Sequence, residues 1–365
     1  MAILPQILQP VVVNDRIKRI KVINDTFQRA LGMQAGGSAV KKSPSRRGSY
    51  DIYNDTREVG GATMPGVEAT TRARFPVGQV NFSVPRHAEK IPMPMEEINQ
   101  YRPIGGPANV LDELGETYIL AQEQNQHQLV TNLREFQVVA MLRGSYTWSK
   151  SGTAFNHSFS GGEVTIDFQI PAGNKSQLDM LGAGDIIGTA WDNAAAPIVR
   201  DIFQINQAFI ELVGTGLTDI WVNSTVWGYI ITNTEVQNLA GSAANPVASI
   251  VRNEETQDFT ATLVALPWVT FHINDNVLTV NGTNTRLIPD TAAIFTVRMD
   301  SFVAEFMEVP EPVVDPVSMK MSQAYGEYFY YKILDDPVVY ELHSRYNGLP
   351  MLKVPKGIAF ATVDF

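Results

Sequence analysis

Residues equipped for acid–base or metal chemistry are spread thinly along this chain. Its histidines are His87, His127, His157, His272 and His343, and no two lie within ten residues of each other. Zinc and metalloprotease boxes set their ligands a few residues apart, so no metal set forms locally. His127 stands in the polar run Gln122–Gln128 (QEQNQHQ), where a side chain is expected to face solvent or an interface. LGAGDIIG (181–188) is Gly-rich, but NKSQLDM precedes it rather than a buried strand. A phosphate cradle needs a strand–turn–helix unit, so a boundary loop is expected there. Asp335-Asp336-Pro337 brings two carboxylates together, yet acid before proline marks a turn first. The chain has no Walker motif and no G-x-S-x-G elbow. No catalytic, cofactor-binding or metal-ligating residue is singled out, and no cofactor is expected.

Composition narrows the classes further. The chain has 365 residues, 44% hydrophobic and 18% charged, with no cysteine. A sizeable core is available, and disulfide or thiolate chemistry is excluded. The first residues, MAILPQILQPVVVNDR, lack a basic start and a small-residue cleavage pattern, so they make a poor signal peptide. No apolar run reaches the roughly 18 residues of a membrane-spanning helix, and no membrane partner is expected. The formal charge of −10 is uneven: residues 1–50 hold nine Lys/Arg against two acids, and the remainder 19 against 36. A basic arm on an acidic body points to docking on a neighbouring copy or on nucleic acid; a solvated tail is the plain alternative. The candidate contacts are Arg16, Lys18, Arg19, Lys21, Lys41, Lys42, Arg46 and Arg47. The run Lys41–Arg47 has no interleaved aromatics, so any nucleic-acid contact would be non-specific.

The elements that would position these groups can be read in order. Pro5 and Pro10 interrupt an early helix, Asp25–Met33 can form a short one, and residues 36–49 read as flexible and basic. Residues 50–98 read as a long hairpin, with strands at Tyr50–Arg57, Ala69–Phe75 and Gln79–Val84 and a GGATMPG tip (60–66). It has too little apolar content for a core, so it would lie on another subunit. From about Gly106 to Arg143 runs a long helix, free of Pro and Gly after Glu116 and stopped by Gly144. Its ends are apolar and its middle polar, as in a helix bridging two bodies.

Glu163–Ile170 alternates strictly, as a half-buried strand does. Ala195–Val213 is an amphipathic helix with Ile198, Ile202, Ile205, Phe209 and Leu212 on one side. Asn223 can cap a helix reaching Leu239. Strands follow at Asp219–Val222, Phe259–Leu266, Trp268–Ile273, Val277–Val280 and Ala292–Val297, with Asn281-Gly282 as a hairpin turn. Residues 326–365 are strand-rich and are expected to return to the sheet begun by Glu163–Ile170. The fold class is α+β, with a compact α/β domain inserted at about 180–322.

These parts, in this order, resemble the HK97-type major capsid proteins of tailed bacteriophages, and more narrowly the lambda-like major capsid protein E family. The residues carrying the resemblance are REFQVVAMLRGSYTW (134–148), EVTIDF (163–168), WDNAAAPIVRDI (191–202) and DPVVYELHSRYNGLPMLKVPKGIAFATV (336–363). The resemblance implies an HK97-like capsid fold: an N-arm (1–50), an E-loop (51–98), a P-domain with the spine helix (99–179), an A-domain (180–322) and P-domain return strands (323–365). It implies hexamers and pentamers closing into an icosahedral shell around double-stranded DNA, in a virion made in the host cytoplasm. A separate scaffolding protein and a portal are the implied partners; a decoration protein is compatible with the resemblance. The polar middle of the helix would be crossed by a neighbour's arm or hairpin, and deleting residues 1–49 should leave a folded body. The other reading is an enzyme or small-ligand-binding protein with its site in 180–322.

Overall fold

A computed structural model describes residues 9–52, 78–94, 113–151, 154–239, 247–252, 259–314, 321–335 and 338–365. Pro10 opens a helix instead of preventing one. Proline lacks the N–H that a first helical turn leaves unused, and α1 spans Pro10–Ile17. There follow α2 (Thr26–Ala30), β1 (Val40–Lys42), β2 (Arg47–Ile52), β3 (Gly78–Ser83) and β4 (His87–Pro94). The long helix α3 spans Glu113–Arg143, about 46 Å at 1.5 Å per residue. Gly144, at φ +96°, ends it.

Beyond it lie β5 (Ser145–Ser151), β6 (Ala154–Ser158), β7 (Val164–Asp167), β8 (Lys175–Ser176), α4 (Ile198–Val213), β9 (Leu217–Val222), α5 (Ser224–Thr232) and α6 (Thr234–Leu239). The strands β10 (Ala248–Arg252), β11 (Phe259–Leu263), β12 (Leu266–Ile273), β13 (Val277–Val280), β14 (Thr283–Arg286) and β15 (Ala292–Val297) come next. The chain closes with β16 (Ala304–Glu308), β17 (Pro310–Val314), β18 (Met321–Asp335), β19 (Val338–Leu352) and β20 (Ile358–Thr362).

The chain divides into two compact units. The first comprises Met1–Gly48, Ser83–Glu135 and Phe306–Leu349. Its sheet runs β1-β16-β19-β18-β17, with β4 also on β19. β18 and β19 pair antiparallel from Gly326↔Asn347 to Asp335↔Val338, so Asp335 is the last residue of β18. Asp336 and Pro337 lie outside the described residues. The N-terminal segment is folded into this unit rather than extended. Val13, Ile17, Phe27, Leu31 and Met33 are all buried, and β1 pairs parallel with β16 through Val40↔Phe306. The apolar pairs Val13/Ile17 and Phe27/Leu31 are spaced i, i+4 and give each short helix an inner face.

The second unit comprises Ser49–Phe82, Phe136–Glu305 and Pro350–Phe365. Its seven-stranded sheet has the order β10-β11-β12-β9-β15-β20-β8. α4 buries Ile198, Ile202, Ile205 and Phe209, each side chain contributing about 1.5–3 kcal/mol. Gly214, at φ +90°, caps it. The helix expected through Leu239 breaks at Asn233, whose amide oxygen receives the Glu235 and Val236 N–H groups and so starts α6. Asn281 and Gly282 both have positive φ and turn β13 into β14. β2 pairs with β3; the expected strand Ala69–Phe75 and the GGATMPG tip lie outside the described residues.

Two strand expectations are corrected. β7 stops at Asp167 because Gln169 takes φ +56° and its N–H binds the Asp167 carboxylate at 2.8 Å. Val164 is exposed, whereas Ile166, Phe168 and Ile170 are buried. The C-terminal stretch does not return to β7, which pairs with β5. Instead β20 pairs with β15 through Ile294↔Phe360, in the sheet that holds β9 and β12.

Candidate functional site: a buried charge seam on the long helix

The polar middle of α3 is polar with a helical period. Glu123, His127, Val130 and Arg134 are spaced i, i+4, i+7, i+11 and form one stripe. Gln128, Thr131 and Glu135 form the adjacent stripe. The first stripe meets the sheet of its unit. Arg134 donates to Glu308 at 2.6 Å and to the Tyr346 hydroxyl at 3.3 Å, with Glu327 3.6 Å away. Its guanidinium also lies over the Phe306 and Tyr346 rings. His127 Nδ1 is 3.0 Å from Glu327. Glu123 receives the Tyr331 hydroxyl at 2.9 Å, and Gln126 receives Ser344 at 2.6 Å. The second stripe meets the arm. Gln128 brackets Ile23, donating to its carbonyl and accepting from its N–H. Glu135 accepts the Phe27 and Gln28 N–H groups at 2.7 and 3.1 Å.

Buried charges cost several kcal/mol each unless they are paired, and the seam pairs them. Burial alone would lower the Arg134 pKa, but Tyr346, Glu327 and Glu308 outweigh it and raise the pKa, so the cation is firmly held. Burial would likewise raise Glu327; the His127 bond and the Arg134 charge bring it below the usual carboxylate range. The Tyr331 hydroxyl is raised by burial and by the Glu123 carboxylate beside it, so it stays a donor. Glu135 is pushed up to about 8, burial outweighing its two N–H donors. Gly326 makes room for the cluster. At φ +73°, a Cβ there would stand 2.7 Å from a Glu308 carboxylate oxygen.

The eight basic candidates are not brought together. Arg16 is drawn inward, its Nε 2.7 Å from Glu123, and Arg46 pairs with Glu311. Lys42 Nζ lies 5.3 Å from the Tyr325 ring centre. Lys18, Arg19, Lys21, Lys41 and Arg47 are exposed. His127, expected at a surface, is buried, because its stripe turns toward β18. The other histidines have separate surroundings. His157 Nδ1 is 3.0 Å from the Tyr146 hydroxyl, and His343 stacks on Tyr330. His87 stacks on Tyr346, and His272 lies 2.8 Å from Asp219 and stacks on Trp221. Residues 181–188 form a loop whose Gly184 N–H binds Asp179; no helix follows directly. Among the described residues no group of three His, Asp or Glu side chains could hold a metal ion. No described helix is long and apolar enough to cross a membrane. Glu308, Glu311 and Glu327 escaped the sequence reading, since their partners are distant in sequence; the i, i+4, i+11 spacing of Glu123, His127 and Arg134 was the available signal for the helix side of the seam.

The family model described as phage major capsid protein E matches residues 14–363. The chain belongs to that family. A search of curated proteins gives no match. Among solved structures, the capsid protein assigned to a prophage of E. coli CFT073 has a TM-score of 0.57 at 13% identity, covering 98% of this chain and 99% of that one. The holo-SrpI encapsulin of Synechococcus elongatus PCC 7942 has a TM-score of 0.45 at 10% identity, covering 88% and 84%. The mature capsid of bacteriophage PhiM1 has a TM-score of 0.45 at 11% identity, covering 89% and 85%. The architecture is HK97-like, and this phage major capsid protein is a structural subunit of the shell and a component of the virion. Assembly as hexamers and pentamers follows from the family. In this capsid protein Glu123 and Glu135 of the long helix bind Arg16, Phe27 and Gln28 of the N-terminal segment.

Proposed function

We propose that this capsid protein, made in the host cytoplasm, closes an icosahedral shell of hexamers and pentamers around double-stranded DNA. The observation that carries the reading is the family match over residues 14–363. The buried seam supports it, because a subunit repeated many times in one shell needs a single, well-specified arm position. Residues 1–50 act as the N-arm, 51–98 as the E-loop, 99–179 and 323–365 as the P-domain, and 180–322 as the A-domain. Since Ile358–Thr362 pair with β15, the last return strand reaches into the A-domain sheet. Lys18, Arg19, Lys21, Lys41, Lys42 and Arg47 contact neighbouring subunits or DNA phosphates, while Arg16 and Arg46 serve the subunit's own carboxylates. A separate scaffolding protein and a portal are partners, and a decoration protein fits the outer shell.

Electron microscopy of the expressed full chain, alone and with a scaffolding protein, tests the reading. Uniform shells or hexameric rings are expected. A stable monomer under all conditions, or one that turns over a small molecule, overturns it.

A further inference from the structure

The first unit turns its acids inward. Asp25, Glu123, Glu135, Glu308, Glu311 and Glu341 are all buried. Three guanidiniums, Arg46, Arg86 and Arg345, converge on the single carboxylate of Glu311, which also accepts from Asn347. Glu311 is 4% exposed, whereas the three arginines are 37%, 46% and 24% exposed. Among the described residues no second carboxylate pairs with these arginines. Among the described residues, one anion among three cations leaves a surplus of two positive charges at this spot. Arg345 is held there by the Tyr330 hydroxyl at 2.7 Å and lies over its ring. Neutralising Glu311 alone would take one arginine; three oriented guanidinium forks present spare donors suited to oxyanions.

The second unit carries the opposite surplus, with 21 Asp/Glu against 12 Lys/Arg. Part of it gathers around Tyr229. Asp364 accepts the Tyr229 hydroxyl at 3.3 Å, and Asp192 and Asp290 act electrostatically on the same hydroxyl. Arg286 bonds Asp290 at 2.7 Å and leaves the other two carboxylates without a cation in any described ion pair.

We propose that the Arg46–Arg86–Arg345 cluster is an intersubunit docking surface that receives the Asp192–Asp290–Asp364 surface of a second copy of this chain. The inference rests on the shell reading, since every copy then carries both halves of a heterologous contact. Such a contact steers assembly and fixes register more than it adds raw affinity. DNA phosphate is the competing anion, but the carboxylate surplus is present on each subunit in fixed proportion to the arginines.

The test uses the full chain, with sedimentation and electron microscopy for assembly and thermal melting of unassembled subunits for the fold. Arg86→Glu with Arg345→Glu should cut the assembled fraction by about tenfold or more; with two of the three cations on Glu311 reversed, the melting temperature should fall as well. Adding Asp192→Arg and Asp364→Arg to the same chain should restore shells. Arg86→Gln, which keeps Arg46 and Arg345 on Glu311, should show a smaller loss and serves if the double reversal unfolds. Wild-type assembly by either arginine variant, or loss without rescue by the swapped acids, overturns the docking surface. Normal shells that retain less DNA also overturn it, assigning the cluster to phosphate. Failure of the wild-type chain itself to form shells instead counts against the shell reading.

Discussion

Arg134 lies 2.6 Å from the Glu308 carboxylate, and the arginine side chain has no exposed surface. The two residues come from a helix and a strand far apart in sequence, so their pairing fixes how α3 sits on its sheet. Arg134→Met should therefore destabilise the unassembled subunit by about 3–5 kcal/mol, because Glu308 and Glu327 lose their buried counter-charge. Denaturant unfolding reads the loss. Adding Glu308→Gln should return part of it, since the uncompensated charge is then removed.

Gly326→Ala should also weaken the seam. The left-handed backbone there costs a non-glycine residue about 1–2 kcal/mol, and the new methyl displaces the Glu308 carboxylate. Because both changes act through Glu308, the Gly326→Ala and Arg134→Met effects should add to less than their sum. A double-mutant cycle by chemical unfolding gives the coupling.

Removing residues 1–49 should destabilise the body, contrary to what an extended arm would imply. Val13, Ile17, Phe27 and Met33 are at most 1% exposed, and each such burial is worth about 1.5–3 kcal/mol. Glu123 and Glu135 would lose Arg16 and the Phe27 and Gln28 N–H donors as well. A lowered melting temperature and faster protease cleavage are the expected results; an unchanged melting curve would refute the integrated arm.

Two groups give pH responses of opposite sign. Glu135 is raised by burial from an ordinary 4.5 to about 8. Its stabilising contribution is complete below about 4.5 and is lost as pH rises through 8. Glu135→Gln should flatten that alkaline decline. His157 is lowered by burial from 6.5 to about 4. Its contribution is complete above 6.5 and is lost as pH falls through 4, so His157→Phe should flatten the acid limb. Melting temperatures of unassembled subunits from pH 3 to 9 read both.

The elements with strong periodicity were legible in the residues themselves. α3 ends before Gly144, α4 buries the predicted isoleucines, and β15 and the Asn281-Gly282 turn fall where expected. The helix α1 was not legible because Pro10 reads as a breaker, although a first turn accepts proline; the short helix expected within Asp25–Met33 does form, as α2. The seam was missed because QEQNQHQ reads as uniformly polar until it is wound at 3.6 residues per turn, when Glu123 and His127 fall on the face that continues to Arg134. The pairing of β20 with β15 had no local signal at all, since a buried strand's sequence does not name its neighbour.

That last strand has a kinetic consequence. β20 lies inside its sheet, between β15 and β8, so the sheet cannot close until Phe360 has been synthesised and brought to Lys175 and Ile294. β1 similarly waits for Phe306 and Glu308. Such distant pairings are slow to form. A nascent chain therefore cannot complete either sheet until these late strands have emerged, and both sheets finish forming only at the end of synthesis.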